Sequence, residues 1–386
     1  MAQQNRILHS NVIRENGIVL TPSSEAITFP AAFLTDQLRQ KPWRTDTGWT
    51  IITGFNDRLP FERPPGTPHV AQVAAGHYLT GASLAVAVEA AMDVADAGPD
   101  WTVSYGVAAA NKFRITNTGA PVNFNLMWTD VGESGQLIGR DLGFQITTDD
   151  TGTFTYTADF AAYQSRHYLK IHRTTETSIL ATAAVLLDHN FGALSGVGAH
   201  QAIKIQANDV DTTAGWLSPS TSTSIAGLAT DNPRLSLAVL DSRVWWRLLI
   251  EDVGNSAGYI ELGKFYLGAA VTPLINVSDR LVNSPEDFSS DETGIDGTHF
   301  SDWHRRRDRW SLSYHDMNEQ TRAVLDTFEA DTPVGKNFYF VWDADNASGH
   351  GNGIEGTTYG YLAAPFTQTY VPGIYWTYGA PFFEAL

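Results

Sequence analysis

The sequence contains no cysteine, which removes disulfide frameworks, thiolate metal sites and cysteine nucleophiles from consideration together. It also lacks any apolar run of about 18 residues, so no helical membrane span is expected. The opening stretch MAQQNRILHSNVIREN has no apolar core behind its charges, and a secretory signal is therefore not expected either. Positive charge is scarce, with 25 Lys and Arg against 42 Asp and Glu and a net charge of −17. Nucleic-acid binding needs clustered cations to displace counterions from phosphates, so no nucleic-acid partner is expected. The basic run Arg305, Arg306 and Arg307 lies between Asp302 and Asp308 and reads as an ion-pairing or solvated strand start. These absences describe a soluble chain made in a cytoplasm.

Catalytic signatures are missing too. Gly351-x-Gly353-x-x-Gly356 spells a dinucleotide fingerprint, but Thr357, Thr358 and Tyr359 follow it where an apolar helix must begin to aim N–H groups at a pyrophosphate. Gly258 to Lys264 matches a phosphate loop in letters, yet Phe265 stands at the magnesium-ligating position. No HExxH pair occurs, and His299, His304 and His315 lack facial spacing for a metal. Asp343-Ala344-Asp345-Asn346 opens like a calcium loop but lacks its later ligands. That run, and the pair Asp209 and Asp211, read as solvated turns more readily than as ion sites. No GxSxG elbow is present, and in so acidic a chain, carboxylate pairs say nothing about glycosidase chemistry. No catalytic residue, metal site or cofactor is assigned.

What the chain does have is β-forming material. Its 386 residues are 43% hydrophobic, with 33 Gly, 14 Tyr, 11 Trp and 19 Phe spread along the length. Short β-branched and aromatic runs bounded by turn residues dominate, so the expected fold is mainly β and multi-domain. Four parts can be distinguished. The first runs from Met1 to about Asp57. A proline-rich bridge over Leu59 to Pro68 suits an extended connector better than a sheet interior. A module over about His69 to Lys170 has a helix that Ser83 can cap, with Leu84, Val88, Ala91 and Ala95 on one stripe, ahead of the strands WTVSYGV and NKFRIT. Ser178 to Gly268 reads as a β-sandwich without its opening strand, and Thr21 to Ile51 is the upstream candidate to supply it. The remainder, from about Val271, is β-rich with one helix. There Asp316 and Glu319 are spaced like a capping box, ahead of Val324, Leu325 and Phe328 on one face.

Aromatics offer two uses, core packing and recognition. Trp245, Trp246 and Trp342 sit inside apolar runs and read as core. Trp43, Trp216 and Trp303 lie beside turns and charged residues, which leaves a surface or interface role open for them.

The pieces SSEAITFPAAFLTDQLRQKPWRTD, AVLLDHNFGALSGVGAHQAIKIQAND and VWWRLLIEDVGNSAGYIELGKFYLG together resemble a galactose-binding-like, discoidin-type jelly roll as found in structural proteins of tailed bacteriophages. In that pattern the Trp43-Arg44 pair ends the first element, Asp188-His189-Asn190 follows a central strand, and Trp246-Arg247 opens the strand before the last hairpin. The intervening helix, the TVSY…KFxIT hairpin and LGF resemble a module recurrent in phage virion proteins. RWSLSYHDM through APFFEAL is similar to the last domain of distal tail proteins.

The resemblance implies a galactose-binding-like sandwich formed by residues 1–57 and 176–270, interrupted by an α+β insertion at 69–170 and followed by an assembly domain at 271–386. It implies a non-enzymatic subunit of the virion tail tip or baseplate, assembled in the host cytoplasm. The implied partners are other tail proteins and copies of itself in a ring, hexameric or trimeric. The alternative is a carbohydrate-binding or glycan-degrading protein that meets a host surface glycan through the sandwich. Trp43, Arg44, Asn190, Trp216 and Arg247 are the expected structural or interface residues, because polar and aromatic groups beside turns satisfy buried backbone groups.

Overall fold

The computed structural model describes the chain apart from residues 1–5, 37–40, 108–110, 120–121, 131, 134, 163, 165, 192–200, 226–233, 237–238, 240, 253–254, 256, 274–281, 287–289, 294–298, 303–306, 342–356, 372–374 and 386. Trp303, His304, Arg305, Arg306, Trp342, the Asp343–Asn346 run and the Gly351–Gly356 fingerprint thus lie outside the described residues.

The architecture is mainly β, and the tract from Ser178 to Gly268 forms most of a two-sheet sandwich. One sheet has five antiparallel strands in the order Thr221–Ser224, Gln201–Asn208, Trp245–Asp252, Arg166–Arg173 and Ile18–Pro22. The facing layer is built on Glu261–Val271, paired with Ala183–His189 on one side and with Arg6–Asn11 and the short strand Trp43–Arg44 on the other. Side chains alternate across each strand, so Leu169, Ile171, Ile203, Ile205, Trp246, Leu248 and Ile250 meet Ala184, Leu186, Leu262, Phe265 and Leu267 in one core. Trp43, from the distant N-terminal stretch, is fully buried in that core. Ile18–Pro22 zips along Arg166–Arg173 in continuous register.

A second core fills the intervening region. α1, Gly81–Ala95, presents Leu84, Val88 and Met92 to the hairpin Trp101–Val107 and Lys112–Asn117. Leu142 and Phe144, on either side of Gly143, enter the same core. So do Trp49 and Ile51, carried by a short strand that pairs with Gly76–Tyr78.

Two local expectations are corrected here. The proline-rich bridge is not a connector but a hairpin. Arg58–Glu62 lies inside a four-stranded sheet between Phe124–Leu126 and Pro68–Gln72. Leu59, Pro60 and Phe61 are buried there. The prolines are tolerated because Pro64 and Pro65 occupy the turn and Pro68 begins an edge strand. Pro60, which has no donor, still accepts from the Met127 N–H at 3.0 Å. The cap of α1 is Thr80, not Ser83: Thr80 Oγ1 accepts from the Ser83 N–H, and Ser83 closes the reciprocal half of a capping box.

Beyond Val271 the β-rich unit continues the facing layer of the sandwich. The order runs on from Arg6–Asn11 through Asn337–Val341, Thr357–Leu362, Tyr375–Glu384 and Arg307–Met317 to Val282–Glu286, giving eleven strands with the branches. α3, Glu319–Asp331, covers it with Leu325 and Phe328 buried. Its cap is Asn318, while Asp316 falls within the preceding strand. One short strand, Arg6–Asn11, therefore holds both neighbours, pairing Ile7 with Val271 on one edge and with Phe340 on the other.

Candidate functional site

The five residues singled out from sequence fall into two groups. Trp43, Arg44 and Asn190 gather at the start of Glu261–Val271. Arg44 lies between the rings of Phe29 and Tyr259, 4.3 and 4.5 Å from their centroids, and its Nε donates to Glu261 at 2.9 Å. The Asn190 amide donates to the Tyr259 carbonyl at 2.9 Å and accepts from the Glu261 N–H at 2.7 Å. This group ties the N-terminal stretch to the sandwich. Trp43, at 0% exposure, has no surface role.

Trp216 and Arg247 meet elsewhere, on the outer face of the five-stranded sheet. The period of two that sends Trp246, Leu248 and Ile250 inward sends Arg247, Leu249 and Glu251 outward, together with Lys204 and Gln206 of the neighbouring strand. Arg166, on the strand flanking the other side, faces the same way and pairs opposite Glu251. Trp216 comes from α2, Thr213–Leu217, a single turn capped by Thr212 Oγ1. Asn208 fixes that turn to the sheet, donating to the Gly215 carbonyl at 2.6 Å and accepting from the Ser220 N–H at 2.9 Å. The Trp216 indole N–H donates to Asp211, which also holds Lys170.

Facing the sheet, Phe55, Leu137, Arg140 and Ile146 of the intervening region close a cavity of about 250 Å³. The Arg247 guanidinium stacks 4.5 Å over the Trp216 ring and donates to Gln206 Oε1 and to the Trp216 carbonyl. Arg140 and Arg166 clamp Glu251 from opposite sides at 2.8 and 2.9 Å. Arg166 also reaches the Phe55 carbonyl at 2.7 Å and lies 4.5 Å over its ring. Burial pushes the Glu251 carboxyl up, but the Arg166 and Arg140 charges more than offset this and leave it below the ordinary value. Burial, and then the like charge of Arg166, pull Arg247 down to about 9.

Trp216, for which an exposed role was open, is only 7% exposed. Sequence reasoning missed Arg140, Arg166, Lys204 and Glu251. The only available signal was the alternation of polar with apolar positions in QAIKIQAN and WWRLLIED, which reads equally well as a solvated sheet face. Among the described residues no group of three His, Asp or Glu is arranged to hold a metal ion, and no helix is long and apolar enough to cross a membrane.

Comparison with known proteins returns no matching family model and no matching curated protein. Among solved structures, a carbohydrate-binding module of Clostridium perfringens in complex with GalNAc-β-1,3-galactose is similar over 27% of this chain and 66% of its own length, at 7% identity and a TM-score of 0.19. A mutant of chitosan-binding module 1, derived from a chitosanase/glucanase of Paenibacillus sp. IK-5, is similar over 28% of this chain and 74% of its own, at 14% identity and a TM-score of 0.20. At these values the likenesses carry no functional assignment.

Proposed function

We propose that the chain is a non-enzymatic structural subunit of a phage virion, placed at the tail tip or baseplate, that assembles the tip and carries receptor-binding fibres. The observation that carries this reading is α1, which is apolar on both faces. Its buried stripe of Leu84, Val88 and Met92 is matched by an outward row of Val86, Ala90 and Val94 at four-residue spacing, with Val86 67% and Val94 83% exposed. An open apolar groove runs beside it, between Val70 and Val73 on one side and Ala87, Ala91 and Val94 on the other. A helix without a polar face is normally covered, and a neighbouring copy in a ring is the cover this reading supplies. The residues that resemble a recurrent virion module also act together, because Val103, Phe113, Ile115, Leu142 and Phe144 pack as one core beneath α1. The virion address and the absence of catalysis belong to the same proposal.

Light scattering after size-exclusion chromatography tests it. A ring or trimer is expected for the native chain, and Val94→Glu is expected to release protomers with an unchanged far-ultraviolet spectrum. Immunogold labelling of purified virions should mark the tail tip. A monomeric native chain, or gold confined to the head, sinks the reading.

A second reading, recognition of a host surface glycan through the sandwich, is favoured by the mainly polar cavity between Trp216, Arg247 and Phe55, which sets a few apolar side chains among convergent donors. Binding of any simple sugar to the native chain, followed by calorimetry, is its test; heats at the level of buffer for all of them exclude it.

A further inference from the structure

We propose that the cavity on the outer face of the five-stranded sheet binds one sugar residue through an oxyanion, a carboxylate or a sulfate ester. This deepens the glycan reading above and rests on it.

The first argument is charge. The chain carries a net −17, yet Arg140, Arg166, Lys204 and Arg247 line this cavity with Glu251 as the one carboxylate in the lining, while Asp211, which also acts on Arg247, lies behind Trp216 and is paired with Lys170. Cations brought together behind low-dielectric walls repel one another and concentrate an attractive field for anions. An interface serving only to hold the inserted region against the sandwich would be expected to balance its charges, since unpaired buried charge is costly.

The second argument is the hydrogen-bonding inventory. Arg140 and Arg166 are occupied by Glu251. Arg247 uses Nε and Nη2 on Gln206 and on the Trp216 carbonyl, so its orientation is set before any ligand arrives. Among the described residues, its Nη1 makes no hydrogen bond, and the Lys204 side chain makes no hydrogen bond and no close ion pair, its charge acting on Glu251 from a distance. A fixed guanidinium N–H and an ammonium on the next strand of the same cavity wall supply two charge-assisted donors for a planar or tetrahedral oxyanion.

The third argument is size and wall chemistry. About 250 Å³ lies just below the ~300–1,000 Å³ range of pockets for drug-sized ligands, which suits a single sugar ring. Phe55, Leu137, Ile146 and Leu249 supply apolar surface for the C–H face of such a ring, while the cations meet its acidic substituent.

Isothermal titration calorimetry on the full chain, with glucuronate, galactose 6-sulfate, glucose, galactose and inorganic sulfate as probes, tests this. Glucuronate or galactose 6-sulfate is expected to bind at least ten-fold more tightly than its neutral counterpart. Lys204→Glu, which breaks no side-chain hydrogen bond but turns an attraction to Glu251 into a repulsion, is expected to weaken that binding at least ten-fold while the chain still unfolds cooperatively. Neutral sugars binding as well as acidic ones, or acidic sugars binding Lys204→Glu unchanged, overturn this inference and leave the glycan reading standing. Heat with inorganic sulfate but with no sugar overturns both, as does silence with every probe. Lys204→Met, which removes the charge without reversing it, should lose affinity in the same direction, and retention by that variant also counts against the site.

Discussion

At the level of single residues, the clearest consequences come from groups that burial leaves little choice. Trp43 is fully enclosed in the sandwich core although it lies far upstream of the strands around it. Trp43→Ala removes a large apolar surface and leaves a cavity, so it should cost about 3–5 kcal/mol of unfolding free energy, read from denaturant midpoints. An unchanged midpoint would show that the N-terminal stretch does not pack there. His167 is equally enclosed, with Nε2 3.3 Å from the Gln164 carbonyl and Nδ1 without a partner among the described residues. Burial pulls it down to about 4. Its folded pKa lies below that of the unfolded chain, so on acidification the unfolded state takes up the proton first. Its contribution to stability is intact above pH ~6.5, falls between there and about 4, and then levels off; a difference of that size corresponds to about 3 kcal/mol. The native chain minus His167→Gln, compared across that range by denaturant titration, should show this slope, whereas parallel curves would refute it.

At the level of elements, sequence and structure agree on the helices α1 and α3 and diverge on their caps and on the proline-rich segment, which is a hairpin and not a connector. The α1 stripe is legible because apolar residues recur at helical spacing, but both Thr80 and Ser83 are of a type that caps, and only the backbone selects Thr80. Thr80→Ala should cost about 1 kcal/mol, and Ser83→Ala less, because the reciprocal bond to the Ser83 hydroxyl is long at 3.4 Å and its other bond goes to the Thr80 carbonyl, which the Leu84 N–H already reaches. The LGF turn shows why its middle residue is glycine. Gly143 adopts a φ of +84°, and a Cβ there would stand 2.4 Å from the Phe160 carbonyl oxygen. Gly143→Ala combines strain with a clash against backbone and should lower the melting temperature more than Gly152→Ala, where φ is +87° but a Cβ meets nothing. Equal shifts would mean that the close approach is unimportant. The proline-rich hairpin was illegible for the opposite reason. Prolines argue against strands on average, and only the pairing partners reveal which positions need no donor.

For the whole molecule, the strand Arg6–Asn11 matters more than its length suggests. Leu8 is fully buried with Ala183, Val185 and Tyr266 on one side and Tyr339, Val341 and Tyr359 on the other. Ile7 joins the core beneath α3. Deleting residues 1–11 should therefore turn a single calorimetric transition into two, as the sandwich and the C-terminal unit lose the strand that makes their sheets continuous. One unchanged transition would show that other contacts suffice.

The sequence by itself determined the mainly β character and the helices α1 and α3, because these follow from local periodicity and propensity. Within the candidate site, it pointed to Trp216 and Arg247 but not to Arg140, Arg166, Lys204 or Glu251. Those four are brought together by strands and loops far apart in the chain, and a polar residue on an alternating strand looks the same whether it faces water or a cavity. Whether a sheet face is solvated or roofed is decided only by what packs over it. Here that is the region around Phe55 and Arg140, and the tertiary structure alone places it there.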